Sequence, residues 1–362
     1  MVGTEGTPPV WQAGDFLAFY SAGLIANTNP EKLYDIDTQR KIEQRLNPSL
    51  PPRRHLHYLY PPFFSVLLLL LSHFTYIQAY WIWTTASVVL YLLSIWILIL
   101  LVPSAKAQFG HILAVSAAAP ALVRCIFLGQ TTTLGLFFWT LAFYLLKRRR
   151  PLWSGMTMGL LTYRFHFLIV MVPVLIIKRL WRTGLGLVIA SIALICAGGL
   201  FFPFSLYADY LASLSILLAK IQGNHHPLAQ YVSLYGFSRL LLPNPLAAGF
   251  TLLGVAPLFY WLVRIWRGNV EPHSDAFDLQ FAMTITVTPL IMHHSLIYDL
   301  MLLTIPALLI YQHRSLFSPY YKLLLALIYF APYYSFLIAE QTGFNPTQPL
   351  LFWLSYEIYR AS

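Results

Sequence analysis

The feature that most constrains this chain is a set of apolar stretches long enough to cross a lipid bilayer. The hydrocarbon core is ~30 Å thick, and a helix rising ~1.5 Å per residue needs roughly 20 apolar residues to span it. Residues 79–102, 184–204 and 246–263 meet or approach that length. A helix satisfies its own backbone in lipid and an open strand does not, so these segments are helical. Of the 362 residues 58% are hydrophobic and only 10% charged, and the mean hydropathy is +0.64, which excludes a soluble globular fold. The expected fold class is all-α, a polytopic transmembrane helical bundle forming one domain over residues 1–362, with short re-entrant and interfacial helices on its outer face.

The formal charge of +10 has the sign that nucleic-acid binding requires. Its basic residues, however, come in short clusters between apolar spans, where the lipid bilayer is the expected partner and nucleic acid is not. Cys125 and Cys196 lie far apart in or beside apolar segments, and give neither a disulfide framework nor a metal-ligand pair. Residues 1–14 have neither the basic nor the apolar region of a secretory signal.

The clusters are Lys106, Lys147 with Arg148, Arg149 and Arg150, Lys178 with Arg179 and Arg182, Arg264 with Arg267, and His313 with Arg314. Each follows an apolar span, and the positive-inside rule places all of them in the cytoplasm. Residues 79–102 then run inward, 108–123 outward and 131–146 inward. The stretch 152–177 has basic clusters at both ends, which one crossing cannot leave on the same side, so a re-entrant hairpin is expected with its tip at residues 163–166. Spans at 184–204, 246–263, 279–292, 296–311, 321–340 and 349–359 complete the bundle. Under this assignment Asp15, Arg124, Gln130, Arg164, His166, the loop 224–239, His294 and Asp299 fall together on the outer side.

Two outer loops are expected, over residues 15–60 and 205–245. The first is punctuated by Asn29-Pro30, Asn47-Pro48 and Pro51-Pro52, and Tyr60-Pro61-Pro62 opens an apolar segment ending near Leu71 that is too short to cross. The second carries Lys220, Asn224, His225 and His226 near its middle. Asp35 and Asp37 have the spacing of a metal-nucleotide motif, but sugar nucleotides are cytoplasmic and this loop is placed outside. The chain has no phosphate-cradling glycine loop and no HExxH pattern.

Asp15 sits at the edge of the first loop before apolar Phe16, and its carboxylate is either a helix N-cap or a general base at the membrane surface. Arg164 and His166 at membrane depth are costly, and an anionic partner such as a phosphate is expected for them, against the alternative of a pair snorkelling to the head groups. Arg124 either joins them or anchors its loop to lipid phosphates. His294 is a hydrogen-bonding or protonating group for a phosphate, or an interfacial histidine held by backbone, with His293 the bystander. Asp299, about one turn into a span, needs a partner.

The motifs GDFLAFYSAGL, KLYD, YLYPPFF, FLGQTTTL, GMTMGLLTYRFHFLIVMVPVLIIKRLWR and TPLIMHHSLIYDLMLL follow one another in an order that resembles bacterial glycosyltransferase family 87 over nearly the whole chain. The resemblance implies a GT-C membrane fold and transfer of a mannose-like hexose from a polyprenyl-phosphate sugar, by inversion, to a glycan or glycolipid acceptor. It implies Asp15 as catalytic base, and Arg164, His166, His294 and Arg124 around the donor phosphate, with Gln130, Asp299 and Tyr60 supporting. It places the enzyme in the inner (cytoplasmic) membrane with its active site on the extracytoplasmic side. No cofactor is expected, and a divalent metal is left open. Two departures stand out: the family's first transmembrane helix, which precedes the acidic residue, is expected to be missing here, and Tyr-Arg-Phe-His replaces the usual Lys-Pro. A transporter or flippase of lipid-linked sugars and an inactive membrane subunit are the rival readings. No repeat relates the two halves, as many transporter folds would have.

Overall fold

The computed structural model describes residues 14–50, 55–222, 228–267 and 271–362. Residues 1–13, Pro51-Pro52 and Asn224 to His226 lie outside the described residues. The fold is all-α and nearly all helical, with no strand among the described residues.

In chain order the helices are α1 (Phe16–Thr28), α2 (Ile36–Leu46), α3 (Pro62–Leu71), α4 (Tyr76–Leu101), α5 (Pro103–Lys106), α6 (Phe109–Ala117), α7 (Pro120–Leu128), α8 (Thr132–Lys147) and α9 (Pro151–Gly159). There follow α10 (Met171–Ile177), α11 (Trp181–Gly199), α12 (Ser205–Gln222), α13 (Leu234–Leu241), α14 (Leu246–Ile265), α15 (Asp275–Ile291), α16 (Thr304–Gln312), α17 (Tyr321–Thr342) and α18 (Thr347–Ala361). Proline opens α3, α5, α7 and α9, where its missing N–H costs nothing and its fixed φ already suits a helix. The 3₁₀ segments Leu160–Leu168 and Ile297–Leu303 run into α10 and α16.

Among the described residues, α4, α11, α14 and α17 are long and apolar enough to cross a membrane, and two bent pairs would raise the count to six. Much of their surface faces outward: Trp81, Trp181, Leu252 and Leu253 are all more than half exposed. In water such a surface would aggregate, whereas in lipid it is the ordinary exterior. The opposite case is α15, which is buried at every position from Phe277 to Leu290 and so serves as a central post.

The structure breaks one of the expected spans and bends the stretch expected as a hairpin. The stretch 108–123 divides at Ala118 and Ala119, ahead of Pro120, and α6 and α7 are bent by 44°. The stretch 152–177 is not one continuous crossing either: Pro151–Leu168 meets α10 at 107°. That bend falls at Ile169 and Val170, just beyond the expected tip, while the tip itself is kinked at Arg164 (φ −129°, ψ 66°). The short apolar helix after Tyr60-Pro61 is α3, of 10 residues, as its length suggested.

The chain divides into two compact units, each discontinuous in sequence. The first comprises Met1–Val89, Cys125–Thr131 and Ser191–His225. Its core is aromatic: Phe16 packs on Tyr76, Tyr80 and Trp83, and Phe19 on Tyr60, Phe64 and Trp83. The second comprises Leu90–Arg124, Thr132–Ala190 and His226–Ser362. Here Phe143 meets Phe277 and Phe281 of α15, and Lys147 reaches the buried Asp278 at 2.5 Å, which His313 also contacts at 3.1 Å. The α9 and α11 backbones touch at Gly155, where a Cβ would lie 1.9 Å from the Thr183 carbonyl oxygen. Such close approach is how helices associate where no hydrophobic force drives them together.

Candidate active site

The sequence-predicted residues fall into two clusters, one in each unit. In the first unit the cluster is built on the end of α7. Gly129 takes the left-handed conformation (φ 67°), its N–H donates to the Ile126 carbonyl at 3.0 Å, and the Gln130 N–H donates to the Cys125 carbonyl at 2.8 Å. That pair of bonds is a Schellman cap, which is why glycine stands in FLGQ. The indole N–H of Trp83 then donates to the Gly129 carbonyl at 2.9 Å. A Cβ on Gly129 would lie 2.5 Å from Cβ of Phe16, and one on Gly14 would lie 2.7 Å from Cα of Leu128, so two glycines seat the start of α1 against this turn.

Asp15 occupies the N-cap position of α1, but with helical dihedrals (φ −63°, ψ −14°) and no capping hydrogen bond from its side chain. A working cap takes extended dihedrals and accepts from an N–H of the first turn. The Asp15 carboxylate instead accepts a hydrogen bond from the side-chain amide of the buried Gln130. Tyr60 is half-buried, and its hydroxyl meets Oγ1 of Thr131 at 3.1 Å. Three successive features, the Schellman turn, Gln130 and Thr131, thus hold a half-exposed carboxylate and a phenol in place.

The second cluster is centred on Arg164 and Asp299, buried with 4% and 0% of their surface exposed. The kink at Arg164 turns its guanidinium onto the carboxylate, with Nη1 donating to Oδ1 at 3.0 Å and Nη2 to Oδ2 at 3.3 Å. Asp299 therefore has the partner that a buried acid requires. Thr132, at the start of α8, donates to Oδ1 at 2.7 Å and accepts from Nη1 at 3.1 Å, while the Leu296 N–H donates to Oδ2 at 3.0 Å. The ring of Phe167 lies 4.6 Å from the guanidinium carbon. Gly135 makes room for that ring, since a Cβ there would lie 2.5 Å from it.

One histidine is bonded to this pair, and a second is held by Tyr231. Arg164 Nε donates to Nε2 of the half-buried His166 at 3.3 Å, which assigns the His166 proton to Nδ1 and leaves that ring neutral. The hydroxyl of Tyr231 lies 2.9 Å from Nδ1 of His294. Burial pushes the Tyr231 phenol well above its ordinary pKa of 10.0, so it stays protonated and can either donate to His294 Nδ1 or accept from it. Tyr231 is itself held by Asn345 and Gln348, whose amides donate to its carbonyl at 3.1 and 2.6 Å. His293 turns away onto the Tyr235 ring, 4.3 Å between centroids.

Arg124 lies half-buried on α7. Asp35 and Asp37 have local roles: Asp35 caps α2 by accepting from the Thr38 N–H at 2.8 Å and hydroxyl at 2.6 Å, and Asp37 pairs with Arg40 at 3.7 Å. Among the described residues no group of three or more His, Cys, Asp or Glu side chains is placed to hold a metal ion. Sequence reasoning passed over Thr131, Thr132 and Tyr231. The signal for the threonines was present, since Gln130 to Thr133 form a polar run between apolar segments and every member is buried.

Chemically, the first cluster offers an oriented carboxylate and a phenol, and the second a neutralised cation bonded to one neutral imidazole, with another imidazole held by Tyr231. Carboxylates and donors of this kind serve proton abstraction and oxyanion stabilisation. No curated protein and no solved structure matches the chain. The model of glycosyltransferase family 87 matches residues 58–292, a span that holds Tyr60, Arg124, Gln130, Arg164 and His166 and stops short of Asp15, His294 and Asp299. With that match covering well over half of the sequence, and with its membrane-crossing helices, the chain belongs to glycosyltransferase family 87 and is a multi-pass membrane glycosyltransferase.

Proposed function

We propose that the protein transfers a mannose-like hexose, with inversion, from a polyprenyl-phosphate sugar to a glycan or glycolipid acceptor at the extracytoplasmic face of the inner membrane. Asp15 takes the proton of the acceptor hydroxyl as its oxygen attacks the anomeric carbon. The bond from that carbon to the phosphate oxygen breaks, and polyprenyl phosphate leaves with the electron pair.

The observation that carries this reading is the side chain of Asp15, which sits at a helix start without capping it and is oriented by the buried Gln130 instead. A carboxylate of purely structural purpose would use the cap that its position offers, worth about 1 kcal/mol. The second cluster gives the donor phosphate its partners. Because Asp299 already balances Arg164, Arg164 acts chiefly by aiming His166, and Nδ1–H of His166 and, with Tyr231 donating to Nδ1 of His294, Nε2–H of His294 are the donors offered to the phosphate. Arg124 adds positive charge on α7. Preorganised donors of this sort are worth a few kcal/mol each, ~3 kcal/mol being typical of one such group.

The experiment is transfer by the purified full chain from a synthetic polyprenyl-phosphate mannose to candidate acceptors, followed by mass spectrometry of the product. A sugar nucleotide accepted in place of the lipid donor would contradict the donor assignment.

A further inference from the structure

The second unit contains a cavity of about 370 Å³ that the proposed chemistry does not use. That volume is typical of small-molecule pockets, which run from ~300 to 1,000 Å³. Its floor is apolar and buried, made by Leu146, Met171, Leu175, Trp266 and Phe277. Its exposed rim carries Arg149, Arg182 and Glu271, and among the described residues none of these three side chains is in an ion pair.

Two further observations point to a ligand. Thr183 lines the cavity at 1% exposure, and its hydroxyl has no hydrogen-bond partner among the described residues, an unfavourable state for a buried polar atom. Arg149 closes α8 in the left-handed conformation (φ 55°) through the bonds Arg149 N–H to Leu146 and Arg150 N–H to Leu145, both 2.9 Å, a position that glycine normally fills. Arg179 closes α10 in the same way, and the turn at Arg149 differs in putting its guanidinium at the cavity mouth.

Under the positive-inside assignment the cavity falls at head-group level. It lies among the basic turns after α8, α10 and α14, which Lys178 helps tie together by donating to the Arg267 carbonyl at 3.4 Å. Trp181, beside Arg182, is 63% exposed, and Ile176 and Ile177 are similarly bare, the pattern of an aromatic and aliphatic belt at a membrane interface. A free inorganic anion would gain nothing from the apolar floor. An anionic lipid without an amine would be repelled by Glu271.

We propose that this cavity binds a phospholipid through its phosphoethanolamine head group. Arg149, Arg182 and the Thr183 hydroxyl take the phosphate, Glu271 accepts hydrogen bonds from the primary ammonium, and the upper acyl chain lies on the apolar floor.

Native mass spectrometry of the full chain, released from nanodiscs of dioleoyl phosphatidylethanolamine, phosphatidylglycerol or phosphatidylcholine, tests this. One phosphatidylethanolamine should be retained about tenfold more tightly than phosphatidylcholine, whose quaternary ammonium has no N–H to donate. The double variant Arg149→Gly with Arg182→Gln should lose at least tenfold in phosphatidylethanolamine retention. Glu271→Gln should erase the preference over phosphatidylcholine while leaving phosphatidylcholine unchanged. Arg149→Gly relaxes the left-handed turn, so an unfolding temperature at or above that of the parent keeps misfolding from imitating lost binding. Equal retention of the ethanolamine and choline lipids, retention unchanged in the double variant, or soluble glycerophosphoethanolamine binding as tightly as the lipid would each overturn the proposal.

Discussion

Removing one side of the Arg164–Asp299 pair should be among the most destabilising single changes in this protein. Both groups are buried, the contact is two-pronged at 3.0 and 3.3 Å, and Thr132 shares both partners. Breaking a buried pair leaves an uncompensated charge, at a cost of ~3–5 kcal/mol. Arg164→Met should fall near the lower end, because Asp299 keeps the Thr132 hydroxyl and the Leu296 N–H. Asp299→Asn should fall near the upper end, because the guanidinium keeps its charge and loses its counter-ion. In the double variant no unpaired charge remains, so its cost should be less than the sum of the singles by at least ~2 kcal/mol. The assay is reversible denaturant unfolding of the full chain in detergent, read by tryptophan fluorescence. Singles costing under ~1 kcal/mol, or an additive double variant, would refute the buried-pair account.

Gly129→Ala should cost at least ~2 kcal/mol, because alanine is strained at φ 67° and its Cβ would strike Phe16. Gly110→Ala, with open space around it, should be neutral or slightly stabilising in the same unfolding measurement. Asp35→Ala should cost ~1 kcal/mol at pH 7 through loss of the α2 cap. The Thr38 hydroxyl and N–H hold the Asp35 carboxyl below its ordinary pKa of 3.8, so its contribution is full above that value and disappears as pH falls through the folded-state pKa. Stability compared between parent and variant from pH 7 to 3 should therefore converge, and a gap that widens on acidification would contradict the cap. Single cysteines tested with an impermeant thiol reagent on whole cells should react at Gln44 and stay protected at Arg149 and Arg267, and labelling at Arg149 would invert the assigned orientation.

Much of the fold was legible because its strongest determinant is local: apolar length identifies α4, α11, α14 and α17, and proline marks where α3, α7 and α9 begin. The breaks were less so. Pro120 marks the break at Ala118 and Ala119, which reading 108–123 as one span passed over, and the basic clusters at both ends of 152–177 called for a bend whose place, at Ile169 and Val170, lies in an unbroken apolar run. At the candidate site, intramembrane charge singled out Arg164 and Asp299 separately. Their pairing across 135 positions had to come from three-dimensional packing. Thr132 and Tyr231 were passed over because a neutral hydroxyl carries no charge to single it out, although the polar run from Gln130 to Thr133 did hold a signal for Thr132. Asp15 shows the opposite limit, since its position before Phe16 reads equally as cap or base, and its dihedrals and its Gln130 contact show only that its side chain does not cap α1.

The central claim is that Asp15 is the base of a lipid-linked sugar transfer, and sugar transfer by Asp15→Asn tests it most directly. The amide keeps the shape of the side chain but cannot take up a proton. Turnover with polyprenyl-phosphate mannose should fall by ~10²- to 10⁴-fold, while donor binding and unfolding stability stay near those of the parent. Near-parental turnover in a folded, donor-binding Asp15→Asn variant would contradict the account.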